Sequence, residues 1–89
     1  GVEERYKVGQ IVRGRVTNVV DFGVFVEVEK GLEGLIHISE LAEGNFMHPR
    51  NVVEEGDEVV AMVLEVDEES RKLSLSTRRV PRSIIKKKR

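Results

Sequence analysis

Gln10-Ile-Val-Arg-Gly-Arg-Val-Thr-Asn-Val-Val-Asp-Phe-Gly-Val-Phe-Val-Glu-Val28 is the stretch on which the fold turns. Its first half reads as a strand over Gln10–Val20, with Val12, Gly14 and Val16 on one face and Arg13, Arg15 and Thr17 on the other. Asp21 makes a tight connection, and Phe22–Val28 follows as a second strand whose Val24, Val26 and Val28 alternate with Phe25 and Glu27. A two-residue period of this kind buries one face and leaves the other to water. Gly14 has no side chain to pack and weakens a flat sheet. In a small barrel it marks the place where a strand bends to close the wall.

Beyond this hairpin, Lys30 and Gly31 make a turn into a third short strand, Leu35–Ile38, and Ser39-Glu-Leu-Ala42 reads as a brief helical turn capped by Ser39. Residues 43–56 are loop-like, broken by Gly44, Asn45 and Pro49, and Glu54-Glu-Gly-Asp57 turns the chain into a fourth strand. That strand, Val59–Asp67, points Val59, Ala61 and Val63 inward. Glu68-Glu-Ser70 closes a hairpin onto a fifth strand, Arg71–Ser76, with Leu73 and Leu75 inward. Five short strands without a long helix predict an all-β chain. A closed five-stranded antiparallel barrel, with its helical turn between the third and fourth strands, is favoured because an open sheet would expose its edges. The expected division is a flexible segment over 1–7, the folded domain over 8–78 and a basic, disordered tail over 79–89.

Eighty-nine residues suffice for one domain with a modest core and no deep cavity. The core must be aliphatic, because the chain has only three Phe, one Tyr and no Trp. There is no cysteine, which excludes disulfides and cysteine-bound zinc and fits an intracellular protein. No apolar run approaches the ~20 residues that span a bilayer, and no signal-peptide pattern opens the chain, so no membrane role and a cytoplasmic location are expected. The net charge of −1 conceals an asymmetry. Residues 1–77 hold all 16 acidic and eight basic residues, whereas 78–89 hold seven basic and no acidic ones. Such a tail either attracts phosphates or serves as a solubilising end.

Phe22 and Phe25 are half of the aromatic residues and lie within four positions of each other. Strict alternation would separate them, but a bulge at Gly23 would bring both rings to one face, where they form a platform for stacked bases. The competing reading is that both rings are core. His37 is either a stacking or phosphate-donating residue or an ordinary satisfied strand histidine. Asp67 and Arg71 flank the last hairpin, and either contact RNA or pair with each other. Nothing among the histidines and carboxylates has metal-ligand spacing, and no nucleophilic or paired-carboxylate arrangement suggests catalysis, so neither cofactor nor metal is expected.

Taken together, Val19-Val-Asp-Phe-Gly-Val-Phe-Val26, Glu33-Gly-Leu-Ile-His-Ile-Ser39, Gly56-Asp57 and Val63-Leu-Glu-Val-Asp67 leading to Leu73-Ser-Leu-Ser76 resemble the S1 RNA-binding domain family. The resemblance runs from Val8 to Arg78 and implies a barrel of the oligonucleotide/oligosaccharide-binding type (OB-fold). It further implies that single-stranded RNA is held by two aromatics on the second strand, a histidine on the third, and an aspartate and an arginine around the last hairpin. These roles fall on Phe22, Phe25, His37, Asp67 and Arg71, with at least Phe25 outward. Met62 stands where family members often carry lysine. Arg13 and Arg15 are expected to compensate if their face borders the groove, His48 and Arg50 to add secondary contacts, and Phe46 to be a buried anchor.

The expected function is therefore a non-catalytic, monomeric module that binds single-stranded RNA, messenger or ribosomal, with little sequence preference. It would act in translation on the ribosome or as an accessory domain in RNA turnover. The rival expectation is a protein-docking module whose acidic body meets a basic ribosomal or enzyme partner.

Overall fold

In a computed structural model, which describes residues 1–44 and 48–81 apart from the Glu3 side chain, five strands close into a barrel in the order β1-β2-β3-β5-β4. The strands are β1 (Ile11–Val20), β2 (Gly23–Glu29), β3 (Leu32–His37), β4 (Glu58–Asp67) and β5 (Lys72–Ser76). Four junctions are antiparallel and the fifth, β3 against β5, is parallel. The parallel junction is forced by number: a ring with an odd count of strands cannot alternate direction all the way round. This is the OB-fold architecture. The third strand begins at Leu32, earlier than the Leu35 expected, because Gly31 at φ +83° reverses the chain at once and Leu32 is already buried.

The core is aliphatic, built from Val12, Val16, Val24, Val26, Leu32, Ile36, Leu41, Ala61, Val63, Leu73 and Leu75. Val12, Gly14 and Val16 face inward as read from the sequence, and a Cβ on Gly14 would fall on Val26 Cγ1 and the Glu27 carbonyl. That close approach is why the wall can bend there. The expected bulge at Gly23 is absent. Register runs unbroken through Val20↔Gly23, Val19↔Val24 and Asn18↔Phe25, and shifts instead between Val16 and Asn18. The extra residue is thus Thr17, and the inward phase moves from Val16 to Val19. A second shift between Val63 and Glu65 does the same for Val66.

The chain before β1, expected to be flexible, forms a short helix α1 (Val2–Arg5) that seats Val2 in the core at 0 % exposure. Glu29 at the end of β2 holds it, accepting from Arg5 Nη1 at 2.6 Å and from the Tyr6 hydroxyl at 2.5 Å. At the other end of the chain Val80 is buried, so the packed body extends two residues past the expected boundary at Arg78. Most of the expected tail, residues 82–89, lies outside the described residues, as does Phe46. Two 3₁₀ turns, Ile38–Glu40 and Pro49–Asn51, lie between β3 and β4. The first is capped by His37, not by Ser39 as expected.

Candidate nucleic-acid interface

Phe22 leaves the alternation of β2 because it sits in the two-residue turn with Asp21, not on the strand. Its ring is 50 % exposed, and Phe22 is the one large aromatic exposed among the described residues. Phe25 points outward between the buried Val24 and Val26. The two ring centroids are 6.1 Å apart with the planes at 88°, an edge-to-face pair. Gly23, placed between them, is required for a different reason from the one expected: a Cβ there would strike the Ile36 carbonyl of β3. His37 is the register partner of Gly23, so the histidine stands exposed beside the aromatic turn. The amide of Ile38 donates to the Phe22 carbonyl at 2.9 Å and ties the two together.

The remaining candidates lie elsewhere. Across the outer wall, Asn18, Phe25, Leu35, Ser74 and the exposed Glu65 form one row by register. Two residues along, Glu58, Arg15, Glu27, Glu33, Lys72 and Asp67 form a second row in which every member is charged. Arg15 therefore stands between Glu27 and Glu58. Arg13 and Arg15 line an open groove with Glu27, Glu29, Lys30 and Glu58, where the cations are matched by carboxylates. Arg71, at φ +57° in the β4–β5 turn, lines a second groove of about 370 Å³ with Thr17, Glu27, Glu33 and Lys72. From Glu33 to His37 is four residues, about 13 Å along a strand, so Arg71 and the aromatic pair occupy opposite ends of one face.

Asp67 and Arg71 form no ion pair. The Asp67 carboxylate accepts from the Ser70 amide at 3.3 Å, and the Ser70 hydroxyl followed by its amide holds that carboxyl below the usual range. Asp67 thus shapes the turn that presents Arg71. His48 likewise shapes its loop: Nδ1 accepts from the Arg50 amide at 3.1 Å, while the His48 amide donates to Asn51 Oδ1 at 2.9 Å. Arg50 shares a groove with Val19, Glu54 and Glu55. Met62 faces outward and half-buried, paired with Ile11 and Ser76. Among the described residues no group of His, Cys, Asp or Glu could hold a metal ion, and no helix is long and apolar enough to cross a membrane.

Sequence reading missed the strap that follows β5. The amides of Thr77 and Arg78 both donate to the Glu40 carbonyl at 3.0 and 3.1 Å, and Thr77 Oγ1 donates to the Leu41 carbonyl at 2.5 Å. Arg78 Nε donates to the Ser39 carbonyl at 2.9 Å, and Arg79 grips the Glu40 carboxylate with two bonds of 2.9 and 2.8 Å. Arg79 first, then Ser76, holds Glu40 below its ordinary value of 4.5. Two of the seven cations counted at the basic end are therefore committed to the fold. The available signal was the isolated Glu40 beside a run of cations, with some 38 residues between them.

A sequence profile of the S1 RNA binding domain matches residues 5–78. The chain belongs to the S1 RNA binding domain family. It is 49 % identical over 83 residues to the small ribosomal subunit protein bS1 of Coxiella burnetii, covering 92 % of this chain and 15 % of that protein. It is also 44 % identical over 79 residues to 4-hydroxy-3-methylbut-2-enyl diphosphate reductase of Clostridium acetobutylicum, covering 89 % of this chain and 12 % of that protein. Among solved structures it is similar to a chain of the a/eIF2alpha–aDim2p–rRNA complex of Pyrococcus horikoshii, with a TM-score of 0.83 and 34 % identity over 92 % of this chain and 50 % of the other. The S1 barrel thus recurs as a small part of much longer proteins.

Proposed function

We propose that this chain is a non-catalytic, monomeric module that holds single-stranded RNA with little sequence preference, in translation and in contact with the cytoplasmic ribosome. The observation that carries the reading is the outward edge-to-face pair of the exposed Phe22 and the half-buried Phe25, with His37 beside it. Exposing apolar rings on a small barrel is unfavourable unless something covers them, and a base covers a ring whatever its sequence, for about 1–3 kcal/mol per base. The perpendicular planes offer two separate faces, so successive bases are received at an angle. Arg71 reaches the backbone at the far end of the same face, and the five cations of residues 82–89 add phosphate attraction. Similarity to a ribosomal protein and to a chain crystallised in an rRNA complex supports translation as the setting.

A chemical-shift titration with a short oligouridylate tests the reading. Perturbations centred on Phe22, Phe25 and His37 are expected; their absence at saturating RNA would overturn it. Truncation after Pro81 removes the five cations without disturbing Arg78, Arg79 or Val80, and should flatten the salt dependence of binding. A second reading, docking of the acidic wall on a basic protein, is favoured by the placement of Arg15 between Glu27 and Glu58, which leaves no basic patch there. Shifts confined to that wall on adding a basic peptide would support it.

A further inference from the structure

His37 makes its two side-chain hydrogen bonds through one nitrogen. Nδ1 lies 3.1 Å from the Ser39 amide nitrogen and 2.9 Å from Ser39 Oγ. A backbone N–H can only donate, so Nδ1 must offer its lone pair, and in the neutral ring the proton then resides on Nε2. Ser39 is itself held: Arg78 Nε donates to its carbonyl, and the next residue, Glu40, is bound through its carbonyl and carboxylate by the strap. His37 is exposed and stands beside the aromatic turn, its backbone paired with a glycine that places no side chain in its way.

We infer that Ser39 is a positioning residue for the RNA face: it fixes His37 as the Nε2–H tautomer in one orientation, so that the face presents a donor there. This rests on the RNA reading above and deepens it. The subsite at His37 then takes an acceptor atom of the RNA, a phosphate oxygen or a base carbonyl, and refuses an exocyclic amino group. Uracil and guanine carbonyls and the backbone itself meet that requirement. Ser39 touches no RNA; it acts through the ring. The tail strap extends the same role outward, since Arg78 holds the carbonyl of the residue that holds the histidine.

Long-range ¹H–¹⁵N correlation of the imidazole in mildly alkaline buffer tests this directly. The free protein is expected to show the Nε2–H pattern. Ser39→Ala keeps the amide, which sets the tautomer, and removes the hydroxyl, which steadies the ring; the Nε2–H pattern should persist while oligouridylate binding weakens about two- to tenfold, the net worth of one hydrogen bond. Ser39→Thr should restore the affinity, and the amide fingerprint of each variant should match the parent. An Nδ1–H pattern in the free protein overturns the inference, as does Ser39→Ala with unchanged affinity. His37→Asn separates the two readings, because Asn is a good cap acceptor but lacks the reach of Nε2. If it keeps the turn and loses RNA, both stand. If His37→Asn and His37→Ala bind RNA as well as the parent while the tautomer is as expected, the RNA role of His37 fails and the hold of Ser39 on the ring stands alone.

Discussion

The row of Asn18, Phe25, Leu35, Ser74 and Glu65 and the row of Glu58, Arg15, Glu27, Glu33, Lys72 and Asp67 cross the same wall two residues apart on most strands, yet they are put together differently. The first carries a single charge, Glu65 at its β4 end, and is flanked by the aromatic turn and by His37, which caps the following 3₁₀ turn. The second alternates sign almost throughout, with Glu27 and Glu33 as its one like-charged neighbouring pair, but its four carboxylates outnumber its two cations. On the RNA reading proposed above, grip on a polyanion falls to rings on this body, while the acidic excess of the charged row opposes phosphates.

The largest expected effect would break both rows together. Ile36 lies at 0 % exposure beneath them, and Ile36→Ala should cost about 2–5 kcal/mol in urea unfolding, because a cavity opens in a core too small to collapse around it. Next comes the aromatic row alone. Phe25→Ala and Phe22→Ala should each weaken RNA by about 1–3 kcal/mol in a fluorescence titration. Phe22→Ala should leave the melting temperature nearly unchanged, because the ring is half exposed. Equal loss from any single change in the charged row would erase the distinction. Third, Glu27→Gln with Glu33→Gln removes one like-charged pair but also the Arg15–Glu27 and Glu33–Lys72 pairs, so barrel stability should move by no more than a few tenths of a kcal/mol, while RNA should bind a few-fold tighter with a steeper salt dependence.

The smallest effect concerns the ends that brace the wall. The guanidinium of Arg5, then the Tyr6 hydroxyl, holds Glu29 below its ordinary 4.5, and Arg79, then Ser76, does so for Glu40. A carboxyl whose folded value is depressed contributes stability above its unfolded value and loses it as pH falls through the folded one. Unfolding midpoints should therefore drop on acidification below about pH 4.5. Glu29→Gln and Glu40→Gln should each flatten that drop, and an unchanged acid limb in both would remove these braces from the account.

Much of this was legible beforehand, for identifiable reasons. Valines at 12 and 16 and at 24 and 26, and Ala61 with Val63, announce inward faces, because a small core can be filled only from one side of each strand. The bulges were harder. Val16 to Val19 and Val63 to Val66 are odd-spaced core pairs, but β-branched residues are welcome on either face, so the phase change carries no residue type to mark it. Gly23 attracted the bulge on conformational freedom, whereas its backbone neighbour across β3 was the real constraint. In the candidate site, residue types singled out Phe22, Phe25 and His37, which the β1–β2 turn and the β2–β3 register bring together. They could not show the partners of Arg15 and Asp67, which are decided by cross-strand register and by a local turn. Ser39 was legible as a cap but not as the partner of His37, and Arg78 not as the donor to Ser39, because both contacts are set by the fold.

The odd number of strands has a temporal consequence. The parallel junction joins β3 to β5, the last of the barrel's own strands to be synthesised, across an intervening loop and β4. During synthesis Phe22 and Phe25 can already stand on a local hairpin, while β3 still has an open edge and the turn below His37 has no strap. Sealing the barrel and finishing the face are then one event, and a long-range one of the kind that sets folding speed in β proteins. A nascent chain would acquire its rings early and its competence late, as the last residues of the barrel arrive.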